Sequence, residues 1–198
     1  LDEAAILKSE ARQPLWLMLA ALCHDFGKTV ATAVEADGEV HAYAHEKAGL
    51  PIIRRFLCRI TGETRLRQYV LNMAELHMKP NLMAEAQSST KKFMKLFDAS
   101  LCPEDLLLLA KADHMGRVPA ENPKPSRAGC RAALAEAYAD TEETLQAMLE
   151  LYHSRMAKPY LMGRDLIEAG LEPGPIFTEA LAYAHKLRLA GLSKEEQL

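Results

Sequence analysis

The ten residues Pro14–Cys23 constrain the fold most, because they are apolar nearly all round a helix. A membrane-spanning helix needs about 20 apolar residues, so this stretch predicts a helix buried in a protein core. Proline favours the first turn of a helix, which places the start at residue 14. The stretch ends at His24 and Asp25, and Gly27 is expected to cap it. We therefore predict a central helix with an imidazole and a carboxylate at its C-terminal end.

Composition favours a single helical domain. The chain has 198 residues, of which 49% are hydrophobic, 26% charged and 6% aromatic. This balance is typical of a globular protein with more helix than sheet, and the length fits one domain with at most a small appendage. The net charge of −3 means that contact with nucleic acid requires a local basic patch. Four scattered cysteines and no signal-peptide pattern predict a cytoplasmic protein with reduced thiols and no membrane segment.

Apolar spacing, prolines and glycines divide the chain into helical segments. We predict helices near residues 1–9, 14–27, 45–60, 63–78, 90–97, 104–115, 127–155, 163–169 and 176–189. A small β-hairpin or ordered loop is expected near residues 30–42, where Asp37-Gly38 is a turn signal. Three prolines within 116–126 predict a loop and the best internal boundary. The sequence thus predicts an all-α helical bundle, with a core at 1–118 and a long helix and helical tail at 119–198 packed on it.

Five metal-compatible side chains lie near the ends of predicted elements: His24, Asp25, His45, His77 and Asp113. Neutral imidazoles and carboxylates suit divalent transition metals, and the ends of separate helices can bring such side chains together. Taken alone, each residue is read more simply as a capping or surface residue. It is the ordered set of five that favours a metal site.

The same segments resemble the HD superfamily of metal-dependent phosphohydrolases. The stretch Leu22–Lys28 resembles the signature of that superfamily. Further segments are similar, in order, to the HD module and C-terminal tail of bacterial CCA-adding tRNA nucleotidyltransferases: Tyr43–Glu46, Ala74–His77, Lys95–Asp98, Ala112–Arg117 and Gly163–Pro175. The resemblance implies an HD-domain helical bundle.

The resemblance also implies a set of metal ligands. His24, Asp25 and Asp113 are expected to bind a divalent ion, with Mn, Ni, Co, Fe, Zn and Mg all compatible with the resemblance. His45 and His77 are expected to hold a second ion or to orient the phosphate. The superfamily's first metal-binding histidine normally lies on the preceding helix, and residues 1–13 contain none.

Catalytic roles follow from the same resemblance. Asp25, Lys28 and Arg117 match positions that serve the reaction, and the two cations would offset charge on the phosphate. The implied substrate is a nucleotide phosphate or a 2′,3′-cyclic phosphoester. The Gly-Ser and paired-Asp motif of the nucleotide-adding head domain is absent from this sequence, so the chain is not expected to add nucleotides by itself.

Two basic clusters leave a second reading open. Arg54, Arg55 and Arg59 form one cluster, and Lys91 and Lys92 form another. Such clusters are usually solvated helix faces, but the resemblance implies contact with the phosphate backbone of tRNA. The sequence therefore supports two hypotheses, a metal-dependent phosphohydrolase and a non-catalytic tRNA-binding helical module of a tRNA nucleotidyltransferase.

Overall fold

The computed structural model describes residues 1–36, 38–117 and 127–197, and these residues form an almost entirely helical protein. The helices, in chain order from α1 to α13, are Asp2–Leu7, Pro14–Cys23, Lys28–Ala31, His45–Ala48, Leu50–Ile60, Thr64–Leu76, Lys79–Glu85, Thr90–Ala99, Pro103–Met115, Arg127–Ala157, Gly163–Glu168, Pro175–Ala190 and Lys194–Gln197. A 3₁₀ turn at Lys8–Glu10 joins the first two helices. The all-α prediction is confirmed.

Of the two structures predicted near residues 30–42, a β-hairpin or an ordered loop, the protein contains a small hairpin. Strands β1 (Ala33–Val34) and β2 (Val40–His41) pair antiparallel, with Val34 opposite Val40. The turn residue Asp37 lies outside the described residues. Before the hairpin, Lys28–Ala31 form a short helical turn, and the backbone becomes extended at Thr32.

Helix α2 is the centre of the core, as its all-round apolar surface predicts. Leu17, Ala20 and Cys23 are completely buried. The helix packs against α1, α6 and α9, and the same core extends to α5, α8 and α10. Because α2 is held on several sides, the backbone at its C-terminal end, which carries His24 and Asp25, has a well-defined position.

A buried carboxylate anchors the other end of α2. Asp105, in the first turn of α9, is completely buried. It accepts hydrogen bonds from the backbone N–H of Arg12 at 2.7 Å and of Gln13 at 3.0 Å, and from the hydroxyl of Tyr69 at 2.6 Å. Its oxygens therefore join α9, α6 and the N-terminal end of α2, and burial costs less because every contact is a hydrogen bond.

Helix α7 was not predicted from the sequence. The predicted helix near residues 63–78 ends before Pro80, and this proline occupies the first turn of a further helix, α7, where its missing N–H costs nothing. The buried side chain of Asn81 donates to the carbonyl oxygen of Ala110 and accepts from the hydroxyl of Tyr138, both at 2.9 Å. These bonds fix α7 against α9 and α10. Asn81 lies four residues after His77, so the bonds also restrict the backbone near that histidine.

The long helix and the tail also make defined contacts. Tyr138, Leu145 and Leu149 of α10 are buried in the main core. A second, smaller core gathers Leu161, Leu166 and Ala184 from the tail. The predicted boundary at residues 118 and 119 and most of the predicted loop at 116–126 lie outside the described residues. Among the helices that the structure describes, none is long and apolar enough to cross a membrane.

The hydrogen bonds of Asp105 generate the first prediction. Asp105→Ala leaves two partly buried N–H groups and one buried hydroxyl without their acceptor, so we expect the free energy of unfolding to fall by about 3 kcal/mol. Tyr69→Phe removes a single hydrogen bond and is expected to cost about 1 kcal/mol. Urea denaturation measures both values. Equal losses in the two variants would show that the carboxylate does not anchor α2.

Candidate metal centre

Three histidines reach one place from three separate helix ends. His24 follows α2, His45 opens α4 and His77 follows α6. In each, Nδ1 donates a hydrogen bond to the carbonyl oxygen three residues earlier, at 2.9, 2.9 and 2.7 Å respectively. This bond fixes the orientation of the ring and leaves Nε2 as the atom that faces the site.

Two carboxylates complete the cluster. Asp25 Oδ1 lies 3.2 Å from Nε2 of His45, and Asp25 Oδ2 lies 3.3 Å from Nε2 of His24. Asp113, in the last turn of α9, places Oδ1 at 3.5 Å from Nε2 of His24. The ring centroid of His77 lies 4.9 Å from that of His24 and 5.4 Å from that of His45. The structure therefore brings all five sequence-predicted ligands together.

The arrangement fits a divalent cation. Nε2 of His24, Nε2 of His45 and Oδ1 of Asp25 are buried, and none of these atoms has a hydrogen-bond partner among the described residues. One ligand atom each from His24, Asp25 and His77 lies within 4.8 Å of the others. Buried polar atoms without partners are costly, and a shared cation would satisfy several of them at once.

The carboxylates also make the cluster electrostatically suited to a cation. Burial alone lowers the pKa of His24, but the nearby Asp113 and Asp25 outweigh it and raise that pKa to about 9. Burial alone raises the pKa of Asp25, but His24 and Lys28 outweigh this effect and bring the pKa below its usual value, so the carboxyl stays ionised. Burial lowers the pKa of His77 to about 4, which keeps this ring neutral and free to bind a metal.

Three basic side chains line the cavity that opens onto the cluster, which has a volume of about 660 Å³. The Lys28 ammonium lies 2.7 Å from Asp25 Oδ2, and the Arg117 guanidinium lies 3.6 Å from Asp113 Oδ2. Both cations therefore form ion pairs with carboxylates that the sequence predicts to be metal ligands. Lys79 also lines the cavity, and it makes no ion pair with another described residue. Lys79 was not identified as a site residue from the sequence. Its position two residues after His77, beside a proline that favours a helix start, would have indicated a cation close to the predicted ligands.

A close contact between two glycines holds the site's halves together. Gly27 was predicted to cap α2, but its φ of −67° is an ordinary helical value, so that prediction is wrong. A Cβ at Gly27 would lie 1.8 Å from the carbonyl oxygen of His45 and 2.7 Å from the nitrogen of Gly49. Glycine is required here because two backbones touch, and this contact brings Asp25 against His45.

The two basic clusters do not join this cavity. Arg54, Arg55 and Arg59 are exposed on α5, and Lys91 and Lys92 are exposed on α8. None of these five basic residues lines the cavity. That cavity opens onto the metal-type cluster, which consists of His24, Asp25, His45, His77 and Asp113. Any role of the five basic residues concerns the outer surface of the protein.

The fold and the cluster together define a helical domain of the His-Asp metal-binding type. The profile of the HD domain matches residues 4–116, which is more than half of the chain, and the chain belongs to the HD domain family. Members of this family bind divalent metals and are generally metal-dependent phosphohydrolases. The predicted membership is confirmed.

Curated relatives cover the same region. The chain is 32% identical over 130 residues to the Multifunctional CCA protein of Actinobacillus pleuropneumoniae serotype 5b (strain L20) and to that of serotype 7 (strain AP76). It is 28% identical over 127 residues to the Multifunctional CCA protein of Haemophilus ducreyi. The alignments cover 62%, 62% and 61% of this chain and 30% of each relative. No solved structure matches the chain significantly.

The glycine contact generates the second prediction. Gly27→Ala forces the two backbones apart, so we expect a loss of about 3 kcal/mol or more in the free energy of unfolding. Gly62→Ala is the matched control, because a Cβ at that position meets nothing within 4 Å. Urea denaturation compares the two variants. If Gly27→Ala is as stable as Gly62→Ala, the backbone contact is not a constraint on the site.

Proposed function

We propose that this chain is the metal-dependent phosphohydrolase module of a protein similar to CCA-adding tRNA nucleotidyltransferases, and that it acts on nucleotide or 2′,3′-cyclic phosphoesters. The observation that carries the proposal is the set of buried, unpartnered atoms on His24, His45 and Asp25. The Asp25 carboxylate lies 3.3 Å from Nε2 of His24 and 3.2 Å from Nε2 of His45, and Asp25 and His45 line an open cavity. Imidazole and carboxylate ligands around one point are typical of sites that activate water.

The proposed ligands divide into two groups. His24, Asp25 and Asp113 hold the principal ion, because the two carboxylates supply the negative charge and lie within 3.5 Å of the His24 ring. His45 and His77 hold a second ion or orient the phosphate. Asp25 suits the position between the two groups, since its oxygens face His45 and His24 separately.

The chemistry is the addition of water across a P–O ester bond. When bound, a divalent ion lowers the pKa of water toward about 7 and polarises a phosphoryl oxygen. Water adds to phosphorus, the ester bond breaks and one proton passes to the leaving oxygen, so atoms and charge balance. Lys28 and Arg117 hold the ligand carboxylates and face the cavity, and Lys79 is available to bind phosphate oxygens.

The chain organisation follows as part of the same proposal. Residues 1–118 form the phosphohydrolase core, since the HD match covers 4–116. Residues 119–198 form a helical extension that packs on this core, supported by the buried residues Tyr138, Leu145 and Leu149. The chain spans 30% of the length of the relatives, so the nucleotide-adding head is proposed to lie outside it.

The metal centre generates the third prediction. Asp25→Asn removes a ligand charge without changing side-chain shape, so we expect loss of bound metal and a fall of at least about 100-fold in hydrolysis of 2′,3′-cyclic AMP. Elemental analysis measures the metal, and assays with Mn²⁺, Ni²⁺, Co²⁺ and Mg²⁺ measure turnover. Far-UV circular dichroism checks that the helices remain.

Asp140→Asn serves as the matched control for this experiment, because Asp140 is exposed on α10, away from the cavity lining. It is expected to keep both the metal and the activity. Hydrolysis by Asp25→Asn at the parental rate would contradict the proposed metal centre.

A second candidate function is binding of tRNA by the outer surface. It is favoured by Arg54, Arg55 and Arg59, which are exposed on one helix and make no ion pair with described residues. Lys91 and Lys92 add a second exposed basic group on α8. Guanidinium groups without a protein partner are suited to phosphate contacts. This role and hydrolysis are compatible, since the two sets of residues do not overlap.

The basic surface generates the fourth prediction. The triple variant Arg54→Gln, Arg55→Gln, Arg59→Gln is expected to weaken tRNA binding and to reduce the slope of log K against log salt by about 3, because about one counterion is released per contact. Filter binding at several salt concentrations measures the slope. Lys8→Gln with Lys186→Gln, both exposed elsewhere, is expected to leave it nearly unchanged. An unchanged slope in the triple variant would exclude this surface.

A further inference from the structure

A pair of stacked rings stands at the cavity beside the metal-type cluster. The rings of Tyr43 and His41 lie with centroids 5.1 Å apart and planes 17° from parallel. Both residues line the same cavity as Asp25, His45 and Asp113. None of the metal-ligand reasoning uses this pair, and the sequence motifs give it no role.

The side chains of Tyr43 and His45 differ strongly in exposure. Tyr43 is 70% exposed, whereas His45, two residues later, is 5% exposed. Between them, Ala44 adopts a left-handed conformation with φ of 54° and ψ of 26°. A non-glycine residue in this region is strained, and such strain is concentrated at functional sites. The strained turn points His45 into the cluster and leaves the Tyr43 ring in the open.

A single exposed aromatic side chain is ordinary, but the neighbours of Tyr43 favour a bound ligand. Its ring is already held parallel to a second ring, so little side-chain entropy is lost when a third flat group stacks on it. Val40, also in the cavity lining, is 64% exposed and adds apolar surface beside the rings. Among charged groups near the pair, Glu39 places Oε2 at 3.8 Å from Nε2 of His41.

We propose that Tyr43, stacked on His41, is the seat for the base of a nucleotide substrate whose phosphate lies at the metal centre. The inference rests on the proposed function and names the feature of the substrate that the cavity selects. Tyr43 acts in specificity, while the reacting phosphate is handled by the cluster and its neighbouring cations.

Distance and size support this assignment. Only Ala44 separates Tyr43 from His45, so their Cα atoms are at most about 7 Å apart, a span that a ribose bridges between its phosphate and its base. The cavity volume of about 660 Å³ lies within the range of small-ligand sites. Since every base has a flat aromatic face, stacking selects nucleotides over simple phosphoesters and discriminates weakly among the four bases.

The test compares two probes that differ only in the base. We expect the metal-loaded protein, in the presence of Mn²⁺, to bind AMP about tenfold more tightly than ribose 5-phosphate in calorimetric titrations. Tyr43→Ala is expected to lose this preference, and Tyr43→Phe, which keeps the ring, is expected to retain it. Tyr183→Ala is the matched control, because Tyr183 is 62% exposed on α12 and lies outside the cavity lining.

The outcomes separate this inference from the proposed function. No preference for AMP in the parent protein, or the same preference in Tyr43→Ala, overturns the base seat even when both phosphoesters are hydrolysed. A preference that depends on Tyr43 in a protein that hydrolyses neither probe nor 2′,3′-cyclic AMP supports the seat and overturns the proposed hydrolysis. A preference lost equally in Tyr183→Ala also overturns the assignment, because the effect would then not belong to this ring.

Discussion

Two partly buried carboxylates among three imidazoles are the constraint on which the site depends. Asp25 and Asp113 are both ionised, and they lie against rings whose Nδ1 atoms are already committed to backbone carbonyls. Nε2 of His24, Nε2 of His45 and Oδ1 of Asp25 are buried without a hydrogen-bond partner among the described residues, and a positive charge there would satisfy them together. The surrounding helices form a rigid frame. This frame keeps the side chains of the cluster from moving apart, although several of their buried polar atoms lack hydrogen-bond partners among the described residues.

That frame is built from polar contacts at helix ends as much as from the apolar core. Asp105 joins the start of α2 to α6 and α9, and Asn81 joins α7 to α9 and α10. Gly27 and Gly49 let two backbones touch, which brings the end of α2 to the start of α4. Each device fixes the rotation or translation of a helix that carries a ligand, and a site of this kind requires such precision.

The proposed hydrolysis and the proposed tRNA contact use different parts of the protein. The metal-type cluster lies at the inner end of a cavity whose walls carry Lys79 and the stacked Tyr43. The exposed arginines of α5 lie on the outer surface. Because the chain aligns with 30% of the Multifunctional CCA proteins, we propose that the cavity and the basic surface serve as two parts of one module. Because the two sets of residues do not overlap, we expect that either proposed function can be removed without the other.

The sequence alone determined the all-α class, the central position of α2, the hairpin and the placement of His24, Asp25, His45, His77 and Asp113 at element ends. It did so because apolar periodicity and proline or glycine punctuation act over a few neighbouring residues. Only the tertiary structure decided that Gly27 serves close packing instead of capping, that α7 exists, and that Lys79 and Tyr43 share the cavity. These features depend on how helices distant in sequence are rotated and packed against each other, and local patterns carry no information about that.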